Sequence, residues 1–86
     1  MFTGIITAIG RLRSRAAAGP SATLTVECAY PKLELGESIA VDGVCLTVAT
    51  ILPGAFAASA SAETLSRTTL GSIGAGSNVN LERALA

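Results

Sequence analysis

With 86 residues and a formal net charge of zero, the chain can form one domain and no more. Half of its residues are hydrophobic but only 3% are aromatic, so Ile, Val, Leu and Ala must build the core. Balanced charge and few aromatic rings leave no basic patch or stacking platform, which argues against nucleic acid as a partner. Because histidine is absent, the commonest general base and metal ligand is missing, and we expect no metal site and no Ser-His-Asp triad.

The sequence shows no sign of a membrane or secretory segment. No apolar run reaches the length of a membrane span, and the N-terminus lacks the charged start and apolar block of a secretory signal. We therefore expect a cytoplasmic protein without a membrane partner. Cys28 and Cys45 could pair, but free thiols are the usual state in a neutral chain that is not secreted.

The first predicted strand runs from Phe2 to Arg15 and is rich in β-branched residues. Gly4 and Gly10 are places where this strand could bend or bulge. Its arginines alternate at positions 11, 13 and 15, so we expect all three to share one face of the strand. A solvated face is favoured over an anion-binding site for such a charge pattern.

A second strand follows a predicted turn at Gly19-Pro20-Ser21. Apolar and polar residues alternate from Thr23 to Cys28, which is typical of a half-buried strand. This alternation places Leu24, Val26 and Cys28 on the core side, so Cys28 is interpreted as a packing residue.

The segment Leu35–Val48 is a predicted hairpin that turns at Asp42-Gly43. Both central residues of a two-residue turn need a positive φ, and Asp-Gly is a favoured pair for such a turn. In this register one face is apolar and the other is small and polar. The apolar face pairs Val41 with Val44 and Ile39 with Leu46, and the polar face pairs Ala40 with Cys45 and Ser38 with Thr47. The polar face could line a pocket, or it could be the partly solvated face of a barrel hairpin.

The second strand of this hairpin is expected to continue to Ile51, before a turn at Pro53-Gly54 in which proline fixes φ and glycine supplies a positive φ. Ala55–Ala60 is the predicted returning strand. Its small side chains leave room beside it for a ligand or for a neighbouring segment.

Ser61 is a predicted N-cap for a short helix, with Glu63 in the first turn, where a negative charge suits the helix dipole. Leu65 is placed to plug an open end of a barrel, and Gly71 is expected to end this element. Residues 79–81 predict a last alternating strand. Five or six short strands with glycine-rich turns and one small helix indicate a closed or nearly closed antiparallel barrel.

Four motifs, in this order, resemble the N-terminal half of riboflavin synthase, which is a lumazine-binding domain. They are Met1–Ile6, Gly36–Val48, Glu63–Leu65 with Arg67–Gly71, and Val79–Ala84. The resemblance implies an all-β fold, a six-stranded antiparallel Greek-key β-barrel with one short capping helix. It also implies that residues 1–86 form a single lumazine-binding barrel and that the second barrel of a full-length chain is absent.

The activity implied by the resemblance is a dismutation that needs no cofactor. Two molecules of 6,7-dimethyl-8-ribityllumazine exchange a four-carbon unit and give riboflavin and a diaminouracil. The protein's main task is then to hold two rings face to face. Because the family's active site lies between two barrels, we expect this 86-residue chain to bind ligand with little turnover.

The resemblance also assigns site residues in three segments. The predicted substrate-binding residues are Gly4, Ile5, Ile6, Cys45, Leu46, Thr47, Ser59, Ala60, Ser61, Ala62, Glu63 and Thr64. Thr47 and Thr64 would offer hydroxyls to the ring or the ribityl chain, and Gly4 would let the backbone approach the ring. Cys45 and Ser38 match positions considered in the family for assisting nucleophilic addition, so they are the catalytic candidates.

Two other functions stay open at this point. One is a non-catalytic module that binds flavin or lumazine, as in the antenna proteins of luminescent bacteria. The other is a structural barrel that binds nothing. We also expect self-association, as a homodimer or as a trimer in a full-length chain, because an isolated barrel would expose the apolar surface that meets its twin.

Overall fold

The computed structural model describes residues 8–84, which form one seven-stranded antiparallel sheet and one short α-helix. The elements in chain order are β1 (Ala8–Ala18), β2 (Ser21–Glu27), β3 (Ser38–Val41), β4 (Val44–Thr47), β5 (Thr50–Leu52), β6 (Ala55–Ala60), α1 (Ala62–Arg67), a 3-10 turn (Thr69–Gly71) and β7 (Asn78–Arg83). The strand order across the sheet is β4-β3-β7-β1-β2-β6-β5. The mostly-β class and the short helix are therefore confirmed.

The sheet is curled, because its two edge strands are joined by only two residues. Val48 donates its N–H to the carbonyl of Glu37 at 2.9 Å, just beyond the paired part of β3 and β4. The next residue, Ala49, donates its N–H to the carbonyl of Ala57 in β6 at 2.9 Å. The chain thus changes pairing partner from one edge of the sheet to the other, and the sheet forms a half-barrel.

This change of partner explains why the predicted number of strands is wrong. We expected one strand from the Asp42-Gly43 turn to Ile51, within a six-stranded barrel. The structure divides that segment into β4 and β5, so the described residues form seven strands. The division depends on the carbonyl of Ala57, which is distant in sequence, and no local signal marks it.

The hairpin of β3 and β4 has the predicted register, with Ser38, Ile39, Ala40 and Val41 paired with Thr47, Leu46, Cys45 and Val44, respectively. Asp42 and Gly43 have φ values of 49° and 80°, as the turn requires. Ile39 and Val41 are fully buried, and Leu46 is 4% exposed. The apolar face of the hairpin is therefore part of the core, as predicted.

A β-bulge divides β1 at Arg13. The register against β2 shifts between Leu12 and Ser14, which leaves Arg13 as the extra residue. We expected a bend or bulge at Gly10, but Gly10 is paired regularly with β7. Gly10 instead allows a close approach between strands, because a Cβ there would collide with the carbonyl oxygen of Glu27.

Because of this bulge, the three arginines of β1 do not share one face. Arg11 lies opposite Glu27, whereas Arg15, beyond the bulge, lies opposite the core residue Leu24. On that side Arg15 donates hydrogen bonds from Nη1 to the carbonyls of Leu70 and Ile73, at 2.8 and 3.1 Å. The prediction of a common face is therefore wrong for Arg15.

The core consists of aliphatic side chains and one aromatic ring on the inner face of the curled sheet. It comprises Leu12, Ala22, Leu24, Val26, Ile39, Val41, Leu46, Val48, Phe56, Ala58, Ala60, Leu70, Val79 and Leu81. Cys28, directly after β2, packs against this cluster, as predicted, and Leu65 of α1 also packs against it. Both cysteines are free thiols.

Substituting Gly10 with alanine tests the close approach at β1. A Cβ at position 10 would lie 2.7 Å from Cδ1 of Leu81, besides the collision with the backbone of β2. We expect Gly10→Ala to lower the free energy of unfolding by about 1–3 kcal/mol, measured by urea unfolding. Gly74→Ala is the matched control, because no atom lies within 4 Å of its added Cβ. An equal loss in both variants would contradict this packing account.

Candidate functional site

The polar face of the β3–β4 hairpin lies on the outer side of the sheet, opposite the core. Cys45 and Thr47 are exposed there, and Ser38 is half-buried. Ser38 pairs with Thr47, and Cys45 is two residues before Thr47, so Ser38 and Cys45 are diagonal neighbours with Cα atoms about 7–8 Å apart. The two catalytic candidates therefore share one surface.

The third predicted segment begins in β6, which contacts β4 and leads directly into α1. Ser61 caps α1 by accepting a hydrogen bond from the N–H of Thr64 at 3.1 Å. The Ser61 hydroxyl also donates to Oγ1 of Thr64 at 3.0 Å. Since Ser61 fixes the backbone and the hydroxyl of Thr64, the side chain of Thr64 is held at the start of the helix.

Two predicted binding residues point away from this surface. The side chains of Leu46 and Ala60 are 4% and 1% exposed and belong to the core. They can offer a ligand only backbone groups. The other predicted members of these two segments are exposed or half-buried: Cys45, Thr47, Ser59, Ser61, Ala62, Glu63 and Thr64. Gly4, Ile5 and Ile6 lie outside the described residues.

An ion pair next to this face was missed by sequence reasoning. Arg83, at the end of β7, donates from Nε and Nη2 to the two carboxylate oxygens of Glu37, at 2.7 and 3.0 Å. The Glu37 side chain is 16% exposed, and Glu37 directly precedes Ser38. No sequence signal could have paired these residues, because they are 46 positions apart.

The contact with Arg83 lowers the pKa of the Glu37 carboxyl below its ordinary value of 4.5. The main cause is the hydrogen bond from Arg83, and burial acts in the opposite direction. The same hydrogen bond raises the pKa of Arg83, so the pair is charged at neutral pH. At the far end of β2, Arg11 and Arg13 likewise lower the pKa of Glu27 by hydrogen bonding.

Two surface grooves lie away from the predicted site. They have volumes of about 400 and 320 Å³ and meet at Cys28 and Gly54. The larger is also lined by Ile9, Gly10, Arg11, Glu27, Ala29 and Asn78, and the smaller by Tyr30, Lys32, Leu33, Ile51, Leu52 and Ala55. Neither groove contains a predicted site residue.

Other site types find no support in the part of the chain that the structure describes. Within residues 8–84, no three His, Cys, Asp or Glu side chains are grouped so that they could hold a metal ion. No helix within the same residues is long and apolar enough to cross a membrane.

The curled antiparallel sheet, its short helix and the hydroxyl-bearing outer hairpin define a small barrel-type β-domain. Residues 3–84 match the family model of the lumazine binding domain, and the chain belongs to this family.

Similar proteins include riboflavin synthases from several bacteria. The chain is 48% identical over 89 residues to riboflavin synthase of Mycobacterium tuberculosis (strain H37Rv), a match covering all of this chain and 44% of that protein. It is 43% identical over 88 residues to the enzyme of Bacillus subtilis (strain 168), covering all of this chain and 41% of that protein. The chain spans less than half the length of these relatives.

Two solved structures share the fold. The structure of LumP complexed with 6,7-dimethyl-8-(1'-D-ribityl) lumazine matches with a TM-score of 0.85 and 25% identity, over 98% of this chain and 49% of that chain. LumP complexed with riboflavin matches with the same TM-score and identity, over 96% of this chain and 46% of that chain. The two structures thus show LumP with a lumazine ligand in one case and with riboflavin in the other.

The lowered pKa of Glu37 predicts how the stability of the folded chain changes in acid. Because the folded-state pKa is lowered, the Glu37 carboxylate stabilises the fold above its ordinary pKa of 4.5. That stabilisation is lost as the pH falls from 4.5 through the lowered pKa of Glu37 in the folded chain. We expect urea unfolding midpoints to fall less between neutral and acid pH in Glu37→Gln than in the unmodified chain. Equal pH dependence of the two proteins would contradict a stabilising ion pair at this position.

Proposed function

We propose that this chain is a lumazine-binding barrel of riboflavin synthase, which holds 6,7-dimethyl-8-ribityllumazine or riboflavin for the dismutation of two lumazines. The observation that carries the proposal is the 48% identity to a riboflavin synthase over the whole chain. The outer hairpin face supports it, because Thr47 and Cys45 are exposed there, on a strand that contacts β6, which leads into the helix that holds Thr64.

The chemistry of this surface suits a flat, neutral ring with polar edges. The hydroxyls of Thr47 and Thr64 can donate to or accept from ring atoms or the ribityl chain, and backbone groups of Leu46 and Ala60 can serve the ring edge. Gly4, Ile5 and Ile6 complete the proposed binding set from the first segment, together with Ser59, Ser61, Ala62 and Glu63.

The proposed reaction transfers a four-carbon unit from one lumazine to another and yields riboflavin and a diaminouracil. No cofactor is required, because the substrate supplies both an acidic methyl group and an electrophilic ring. Holding two rings face to face can lower such a barrier by roughly 7–11 kcal/mol. Cys45 and Ser38 are the proposed residues for assisting nucleophilic addition.

The proposal includes an assembly. Residues 1–86 form one barrel of the Greek-key type, and catalysis needs a second site, so the chain alone binds ligand with little turnover. Among residues 8–84, three large apolar side chains are exposed, namely Ile9, Leu35 and Ile51, at 71%, 68% and 42%. They support self-association, as a homodimer or as a trimer in a full-length chain. The proposed location of the protein is the cytoplasm.

The second candidate function is a binding module without catalysis. It is favoured by the fold similarity to LumP, at a TM-score of 0.85. One structure of LumP contains 6,7-dimethyl-8-(1'-D-ribityl) lumazine and another contains riboflavin. The two functions share the binding surface and differ only in turnover.

A fluorescence time course of the purified chain with 6,7-dimethyl-8-ribityllumazine tests the proposal. A prompt change in lumazine emission without later riboflavin emission supports a barrel that binds and needs a partner for catalysis. Steady growth of riboflavin emission would show that two copies of this barrel form a working site. If neither signal appears, the binding proposal is wrong.

Thr47→Ala tests the assigned surface. Thr47 is exposed, so we expect the fold to be unchanged, while loss of one hydrogen bond weakens lumazine binding by about tenfold in fluorescence titration. Thr50→Ala is the control, because Thr50 is also an exposed strand threonine but lies outside the proposed binding segments. Unchanged affinity of Thr47→Ala would remove Thr47 from the site.

A further inference from the structure

Arg83 joins three segments of the chain at one end of the β3–β4 hairpin. Besides its two bonds to Glu37, it donates from Nη1 to the carbonyl of Pro31 at 2.7 Å and from Nη2 to the carbonyl of Lys32 at 2.8 Å. Its guanidinium carbon also lies 5.7 Å from the centroid of the Tyr30 ring. Arg83 therefore ties the connection between β2 and β3 to β7.

Glu37 receives these bonds at the point where the hairpin begins. Its Oε2 accepts from the N–H of Glu34 at 2.6 Å, and its carbonyl accepts from the N–H of Val48 at 2.9 Å. The neighbouring N–H of Gly36 donates to the carbonyl of Val48 at 2.9 Å. Glu37 thus pairs with the residue that follows Thr47, just outside the Ser38–Thr47 pair.

The opposite end of the hairpin is fixed by its turn, whereas this end is held by the backbone bonds of Val48 and by the pairing of β3 with β7. β3 and β4 have four residues each, and the Ser38–Thr47 pair is the last pair of the ladder. Terminal pairs of short strands open most easily unless further bonds hold them. Here the N–H of Ala84 donates to the carbonyl of Ser38 at 3.2 Å, next to the ion pair of Arg83.

We propose that Glu37 and Arg83 are positioning residues for the ligand: their ion pair holds the Ser38–Thr47 end of the hairpin in its binding geometry. The inference rests on the proposed function, because it takes the hairpin's outer face as the lumazine-binding surface. Neither side chain needs to contact the ligand. Removing either one leaves the fold in place and loosens the pair that presents the two hydroxyls.

The chain offers a matched control in a second ion-pair cluster. Glu27 accepts from Nε of Arg11 at 2.9 Å and from Nε of Arg13 at 3.0 Å. The chemistry equals that of the Glu37 pair, with an arginine Nε on a glutamate oxygen. Glu27 lines the larger groove, in which none of the proposed site residues within residues 8–84 lies, so we expect its loss to affect stability alone.

The test compares Glu37→Gln, Arg83→Gln and Glu27→Gln by lumazine affinity, from fluorescence titration under conditions where urea curves show each variant folded. We expect Glu37→Gln and Arg83→Gln to weaken binding by roughly three- to tenfold. The double variant should bind no more weakly than whichever single variant has the lower affinity, because each single change already breaks the shared ion pair. Glu27→Gln should bind like the unmodified chain.

Two further measurements separate positioning from general stability. Arg83→Lys keeps the charge but cannot form two parallel bonds, so we expect it not to restore affinity. In ¹H–¹⁵N spectra without ligand, Glu37→Gln should shift the amide signals of Ser38 and Thr47, and Glu27→Gln should not. If Arg83→Gln fails to fold, Glu37→Gln and these spectra still decide the question.

The outcomes also separate this inference from the proposed function. If the unmodified chain binds no lumazine, the proposed function and this inference both fail. If it binds lumazine and Glu37→Gln and Arg83→Gln bind equally well, only the positioning role is wrong. A loss of affinity in Glu27→Gln as large as in Glu37→Gln would also overturn the positioning role, because affinity would then follow stability.

Discussion

The two-residue turn at Asp42-Gly43 is the constraint on which the rest of the site depends. Both residues have positive φ, and two hydrogen bonds between Asp42 and Asn80 fix the turn to β7. The N–H of Asp42 donates to the carbonyl of Asn80 at 2.8 Å, and Oδ1 of Asp42 accepts from the N–H of Asn80 at 2.7 Å. Turn geometry and docking together leave the hairpin one register.

That register assigns every side chain of the hairpin to one of two faces. A slip of one residue would move Ile39 out of the core and Ser38 into it. The apolar area that the core then loses would destabilise the fold. The same constraint therefore builds the core and the hydroxyl-bearing outer surface. At Val48 and Ala49 the chain then crosses to β6, the strand that contacts β4 and leads into α1.

Local signals allowed part of this arrangement to be predicted from the sequence. Asp42-Gly43 specifies its turn through backbone conformation alone, so the hairpin pairing could be derived residue by residue. Ser61 likewise caps α1 through a bond to Thr64, three residues away. Other features depend on contacts between distant segments. The strand break needs Ala57, and the face of Arg15 depends on a bulge that no glycine marks. Arg83 finds Glu37 only in the folded chain. The identity of the ligand was predicted only from family resemblance, because exposed hydroxyl groups do not specify one particular ligand.

The central claim is that lumazine binds on the outer face of the β3–β4 hairpin and not in the grooves at Cys28 and Gly54. A titration of the ¹⁵N-labelled chain with 6,7-dimethyl-8-ribityllumazine, followed by amide chemical shifts, tests it directly. The account predicts that the largest shifts occur at Ser38, Thr47 and residues 60–64. Largest shifts at Cys28 and Gly54, with the hairpin end unaffected, would contradict it.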